Sequence, residues 1–227
     1  MKRGLLGLVV LLLALPSLSF GNIIGSTDPG LFVADTVDWC VNFGCNNNYT
    51  KFPTPQSWTS NSSNSTGLVG LVNTQEPFYN LQQDVTWGGN FDDDMGLIFN
   101  GASFGNTPTD IAITFDQGQF GAGAYIQSDY YGPFSATVTA FDVNYQPLMI
   151  YNVPGYSAYA PGTALFIGIL DSNQEIYALE FNAVGIGPDE PDFAIGSMLI
   201  ATPEPSSLLL MGAGLMGLAM FVRSRRS

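Results

Sequence analysis

The chain has 227 residues, 46% of them hydrophobic, with six basic and nineteen acidic side chains and a formal charge of −13. It contains no histidine, which excludes Ser-His and Cys-His nucleophile pairs, histidine general bases and the usual zinc and iron ligand sets. Lys51 is the only cation between Asn22 and Thr202, and a surface this acidic repels phosphate backbones, so nucleic acid is excluded as a partner.

Residues 1–21 open with Lys2-Arg3, run through an apolar stretch from Gly4 to Leu15 and end with small residues at Ser17 and Ser19. This is a signal-peptide pattern, and cleavage after Ser19 or after Gly21 satisfies it equally. The body, residues 22–201, is low in charge and rich in Gly, Thr, Tyr and Phe, which favours strands joined by tight turns over helices. Its first strand signal is Leu31 to Ala34. Cys40 and Cys45 follow as the only cysteines, and in an exported chain they are expected to form a structural disulfide. The Asn-, Ser- and Thr-rich run of residues 46–66 predicts one long surface loop. Further strands are expected at Leu68 to Asn73, Val85 to Trp87 and Gly96 to Asn100.

From Asp110 onward the pattern has period two. Ile111, Ile113 and Phe115 alternate with Ala112 and Thr114, and Phe134, Ala136, Val138 and Ala140 alternate with Ser135, Thr137 and Thr139, the mark of half-buried strands. Gly121 to Gln127, Pro147 to Val153, Thr163 to Leu170, Glu175 to Phe181 and Phe193 to Ile200 complete the set, each bounded by Gly, Pro, Asn or Asp. No amphipathic helix is present for a βαβ fold. The expected fold is all-β, an antiparallel β-sandwich of jelly-roll type.

The tail, residues 202–227, reads Thr202-Pro203-Glu204-Pro205, then an apolar segment over residues 206–222, then Arg223, Arg225 and Arg226. As a helix the segment is about 25 Å long, short of a hydrocarbon core of about 30 Å, so it spans with the help of snorkelling arginines. Arginines after the apolar run place the C-terminus in the cytoplasm and the body outside it, in agreement with the signal peptide. Gly212-Ala213-Gly214-Leu215-Met216-Gly217 spells the dinucleotide-binding fingerprint but lacks both the preceding strand and the acidic residue beyond, and is read as close helix packing.

Pro203-Glu204-Pro205, a short Leu/Gly/Ala/Met helix and a terminal arginine cluster resemble the PEP-CTERM sorting signal of Gram-negative bacteria. The resemblance implies recognition by an exosortase, transient anchoring in the inner membrane, removal of the tail and delivery to the cell surface or extracellular matrix. Such proteins belong to bacteria that make exopolysaccharide. Phe115-Asp116-Gln117 leading to Gly121-Ala122-Gly123, Phe166-Ile167-Gly168 and Asp192 to Gly196 are similar to the recurrent ectodomain of PEP-CTERM proteins, which implies a sandwich of unassigned activity.

Two loops gather carboxylates, Asp92, Asp93 and Asp94 in one and Asp189, Glu190 and Asp192 in the other, and both are candidate calcium sites because adjacent carboxylates repel until neutralised. Glu175 and Glu180 lie five apart on one expected strand and face opposite sides, unlike the paired carboxylates of a glycosidase, so no catalytic activity is expected. Tyr130, Tyr131, Tyr156 and Tyr159 fall in Gly/Pro-bounded segments and are candidate stacking rings for sugars. The expected function is that of a structural or adhesive protein of the envelope or biofilm matrix that binds polysaccharide, with a secreted glycan-active hydrolase as the alternative. Ice binding enters because similar tails occur on some ice-binding proteins, but the body lacks regular Thr-rich repeats.

Overall fold

A computed structural model of the chain describes residues 22–32, 35–45, 49–61, 68–101, 109–185 and 192–201. The signal peptide, the apolar segment 206–222 and the arginine cluster lie outside them. Among the described residues no helix is long and apolar enough to cross a membrane.

In chain order the strands are β1 (Ile23–Ser26), β2 (Asp35–Val37), β3 (Thr50–Phe52), β4 (Gln56–Thr59), β5 (Val69–Val72), β6 (Phe78–Gln82), β7 (Gly96–Phe99), β8 (Ile111–Gln119), β9 (Gly121–Ser128), β10 (Gly132–Phe141), β11 (Pro147–Ser157), β12 (Leu165–Asp171), β13 (Ile176–Gly185) and β14 (Phe193–Ala201). Among the described residues one short helix, α1 (Trp39–Phe43), and a 3-10 turn at Pro29–Leu31 interrupt them. All pairings between these strands are antiparallel.

The larger sheet runs β1-β12-β9-β14-β7-β6-β3, with β2 also on β14, and the smaller runs β11-β10-β13-β8-β5-β4. From β7 to β14 the chain changes sheet at every connection except the β10–β11 hairpin. The resulting orders, 12-9-14-7 facing 11-10-13-8, are the two Greek keys of a jelly roll. Between the sheets lie Ala122, Ala124, Ile126, Ile167, Ile169, Ile195, Met198 and Ile200 from one side and Ile111, Ile113, Phe134, Val138, Leu179 and Phe181 from the other. On β10 the expected alternation holds residue by residue, with Phe134, Ala136, Val138 and Ala140 buried.

The outer face of the larger sheet is covered too. The β6–β7 connection folds across it and brings Trp87, Phe91 and Met95 onto Tyr79, Leu81, Leu97, Phe99 and Ala194, a second core behind the first. Phe32 packs with Phe166 and Ala201 in a third, with the Phe32 and Phe166 ring centroids 5.0 Å apart. This double covering explains why β9 is buried along nearly its whole length.

Several expectations require correction. No strand begins at Leu31, which closes a 3-10 turn capped by Asp28, whose carboxylate accepts from Gly30 N at 2.9 Å, while Val33 and Ala34 lie outside the described residues. Val85 to Trp87 belongs to a tight turn in which the amides of Val85, Thr86 and Trp87 all donate to Gln82 O. The polar run 46–66 is not one loop, because Phe52 and Trp58 anchor β3 and β4 to opposite sheets within it. Tyr156 sits on β11, not in a loop, with its ring on the exposed face.

Cys40 and Cys45 are joined across α1, with Cα atoms 4.6 Å apart. The Asp38 side chain caps the helix by accepting from Cys40 N at 2.8 Å, and Trp39 Nε1 donates to Gly196 O at 2.7 Å, docking α1 on the bulge of β14.

Candidate functional site

Three connections meet at one end of the sandwich: Gln83 to Met95 after β6, Asp129 to Tyr131 after β9, and Ala158 to Ala164 after β11. A buried polar network ties them together. Gln127, wholly buried on β9, accepts at Oε1 from Asn90 N at 2.9 Å and from Trp87 Nε1 at 3.3 Å, and donates from Nε2 to Ser157 Oγ at 2.8 Å. Ser157 passes the chain on to Ser128 O at 2.7 Å. Asn90 Nδ2 donates to Tyr156 O at 3.3 Å and Thr163 O at 3.1 Å, while Asn90 O accepts from the amides of Thr163 and Ala164. Gly89 is required here, since a Cβ would collide with the Gln127 amide and the Trp87 indole nitrogen.

On this frame stand two exposed rings. A Cβ on Gly88 would lie 3.7 Å from both Tyr131 Oη and Tyr159 Cε2, so both side chains lie beside that glycine. Tyr131 Oη donates to Gly88 O at 3.0 Å, and Tyr159 Oη reaches Asp84 Oδ1 at 3.5 Å. The rings are 59% and 65% exposed, enough to offer a face to a ligand. Tyr130 is exposed in the same turn, whereas Tyr156 projects from β11 beside Pro133 and Ile150 is exposed on the same strand. Of the four candidate tyrosines the structure therefore brings Tyr131 and Tyr159 together and sets Tyr156 on the outer face of the smaller sheet.

Asp92, Asp93 and Asp94 do not converge on one point. Among the described residues no group of three or more carboxylate, thiol or imidazole side chains is placed to hold a metal ion. Consecutive positions in a turn point different ways: Asp93 meets Asp84 and Asp92 turns toward Gly162, while Asp94 takes a left-handed backbone at φ 63°. Asp93 is hydrogen-bonded to Asp84, and this contact, with lesser contributions from burial and the neighbouring aspartates, raises its pKa above the ordinary aspartate value. Of the second group, Asp192 is buried at the start of β14, where its carbonyl accepts from Asp129 N at 2.9 Å, and Asp189 and Glu190 lie outside the described residues.

Asn90, Asp92, Tyr125, Gly162 and Ala164 line a pocket of about 60 Å³ between the β6–β7 and β11–β12 connections. Sequence reasoning found neither Gln127 nor Asn90, since an isolated amide in a strand or turn carries no periodic signal. Gly88-Gly89 next to Trp87 was the one available hint.

β14 is the last described strand, and it runs from this end of the sandwich to Ala201, directly before the proline-flanked glutamate of the tail. Residues 201–226 match the PEP-CTERM protein-sorting motif. The motif implies an exported chain that an exosortase recognises, and the body that a PEP-CTERM tail carries here is a β-sandwich. Pro203, Glu204, Pro205, Arg223, Arg225 and Arg226 all fall within the matched span. No curated protein matches the chain. Among solved structures it is similar to the xylanase 10B modules of Clostridium thermocellum crystallised with xylohexaose, at 10% identity and a TM-score of 0.12 over 76% of this chain and 29% of that one. It is also similar to the C-terminal family 22 carbohydrate-binding module of the same xylanase, at 9% identity and a TM-score of 0.13 over 79% of this chain and all of the other. Likenesses this low carry no argument about ligand or fold.

Proposed function

We propose that the protein is a non-enzymatic component of the cell envelope or biofilm matrix, anchored briefly in the inner membrane through residues 206–222 and then delivered to the surface, where it binds polysaccharide. The observation that carries the binding reading is the placement of Tyr131 and Tyr159 beside Gly88, both exposed, with the Asp84 carboxylate in reach of the Tyr159 hydroxyl. Ring faces take the apolar side of a sugar and the carboxylate accepts from its hydroxyls. The rings stand on a buried hydrogen-bonded frame, so the face is built before any ligand arrives and little ordering opposes binding.

The geometry gives no support to hydrolysis at this place. A glycosidase holds its carboxyls about 5 to 9 Å apart on either side of the scissile bond. Asp84 and Asp93 are in hydrogen-bond contact, leaving no room for a sugar linkage between them.

The test is retention of the protein, recovered from the exported fraction, on immobilised exopolysaccharide from the producing cells. Tyr159→Ala should weaken binding about 5- to 30-fold, as for a stacking hot spot of about 1 to 2 kcal/mol, without loss of melting temperature. Unchanged retention with a lowered melting temperature would make the ring a packing residue and remove the site.

A further inference from the structure

Asn90 is 1% exposed and its amide orientation is fixed, because Nδ2 donates to two carbonyls, Tyr156 O and Thr163 O, and a flipped amide would set oxygen against oxygen. The other end of the amide, Oδ1, is buried without a hydrogen-bond partner. A buried acceptor left this way is unfavourable unless something donates to it. Asn90 lines the pocket between the β6–β7 and β11–β12 connections, and Asp92 lines it too, its Oδ1 lying 3.2 Å from where a Cβ on Gly162 would stand. Tyr125 lines it as well, its ring set edge-on against Phe166 with centroids 5.3 Å apart. Burial and then the Asp92 charge raise the Tyr125 pKa, so the phenol feels the same negative field.

We infer that this pocket is a subsite for the hydroxyl edge of a neutral sugar residue, with Asn90 Oδ1 and the Asp92 carboxylate accepting from its hydroxyls. The inference rests on the polysaccharide reading above and deepens it by naming the ligand class. A pocket of about 60 Å³ is small against a whole sugar residue, so it admits one edge of a pyranose and leaves the rest of the ring outside. Asn90 has spent both its donors and an ionised aspartate is acceptor-only, so what these two side chains offer requires a ligand that brings donors. Uronate and sulfate groups bring only acceptors and negative charge, and are refused at close range as well as by the charge of the whole chain.

Affinity electrophoresis with a neutral soluble glucan and with polygalacturonate tests this, at 0.15 M and 1 M NaCl. At 1 M salt the screening length is about 3 Å, so refusal that survives there comes from the site and not from the net charge. The wild-type protein should retain glucan and refuse polygalacturonate at both salt concentrations. Asp92→Ala should bind glucan about tenfold more weakly, the size expected for one hydrogen bond to a charged acceptor. It should fold normally, since the loop is held through the Asp92 carbonyl, which accepts from Met95 N. Asp116→Ala, which removes an exposed carboxylate on β8, should leave binding unchanged.

If Asp92→Ala binds glucan like the wild type while Tyr159→Ala does not, the subsite is overturned and the stacking face stands. If the wild type binds neither polymer, both fall. Polygalacturonate bound at 1 M salt as tightly as glucan overturns the inference. So does a calcium-dependent rise in melting temperature that Asp92→Ala abolishes while its glucan binding stays equal to wild type, which would make the pocket a cation site.

Discussion

Gln127 holds the site together from beneath. Three partners depend on one side chain, and its removal strands the Trp87 indole N–H, the Asn90 amide and the Ser157 hydroxyl inside the protein. Gln127→Ala should therefore lower stability by about 3 kcal/mol in urea titration, well beyond a surface substitution, and loosen the rings with it. Equal midpoints for the two proteins would show that water replaces the amide at no cost. This residue was illegible in the sequence for a physical reason. A glutamine at an outward position of a strand looks solvated, and only the folding of a distant connection over β9 buries it. Tyr131 and Tyr159 were legible, because turn residues bracket them and rings in turns are seldom core.

At the scale of elements, α1 is held at both ends by different chemistry, the Cys40–Cys45 bridge across the helix and the Trp39 hydrogen bond to β14. Closing so small a loop contributes about 2 kcal/mol on the chain-entropy model, and the tryptophan anchor remains when it opens. Reduced protein should thus unfold at lower urea, with the native fold kept in its absence. Identical unfolding of oxidised and reduced forms would assign the helix to Trp39 alone. Strands from β8 to β14 were readable because inward residues alternate with polar ones, as on β10. β6 was not, since Phe78 through Leu81 are buried on both faces and show no alternation. β3 and β4 hid in a polar run for the opposite reason: Phe52 and Trp58 supply the anchoring apolar contacts of two short strands, too few for a periodic signal.

On the scale of the whole molecule, the described chain begins and ends at one pole. Ile24, Leu170, Gly121 and Ala201 form a single row across β1, β12, β9 and β14, while Phe193 pairs with Ser128 at the far end, next to the turn that carries Tyr131. Ala201, the first residue of the sorting motif, is therefore separated from the candidate face by the length of β14, nine residues or about 30 Å. Tail processing and ligand binding should be independent: Glu204→Ala should leave unprocessed chain in the membrane fraction, seen as an intact C-terminus by mass spectrometry, yet with unchanged glycan affinity. Normal trimming of that variant would contradict the sorting role of Glu204. The same arrangement has a mechanical consequence. β14 is bonded to β9 along one edge and to β7 and then β2 along the other. A pull on Ala201 against a ligand held at the opposite pole runs along that strand, so its ladder bonds bear the load together in shear. On the proposed function, a chain held at Ala201 while its opposite pole grips a polymer is strongest in the direction of that pull.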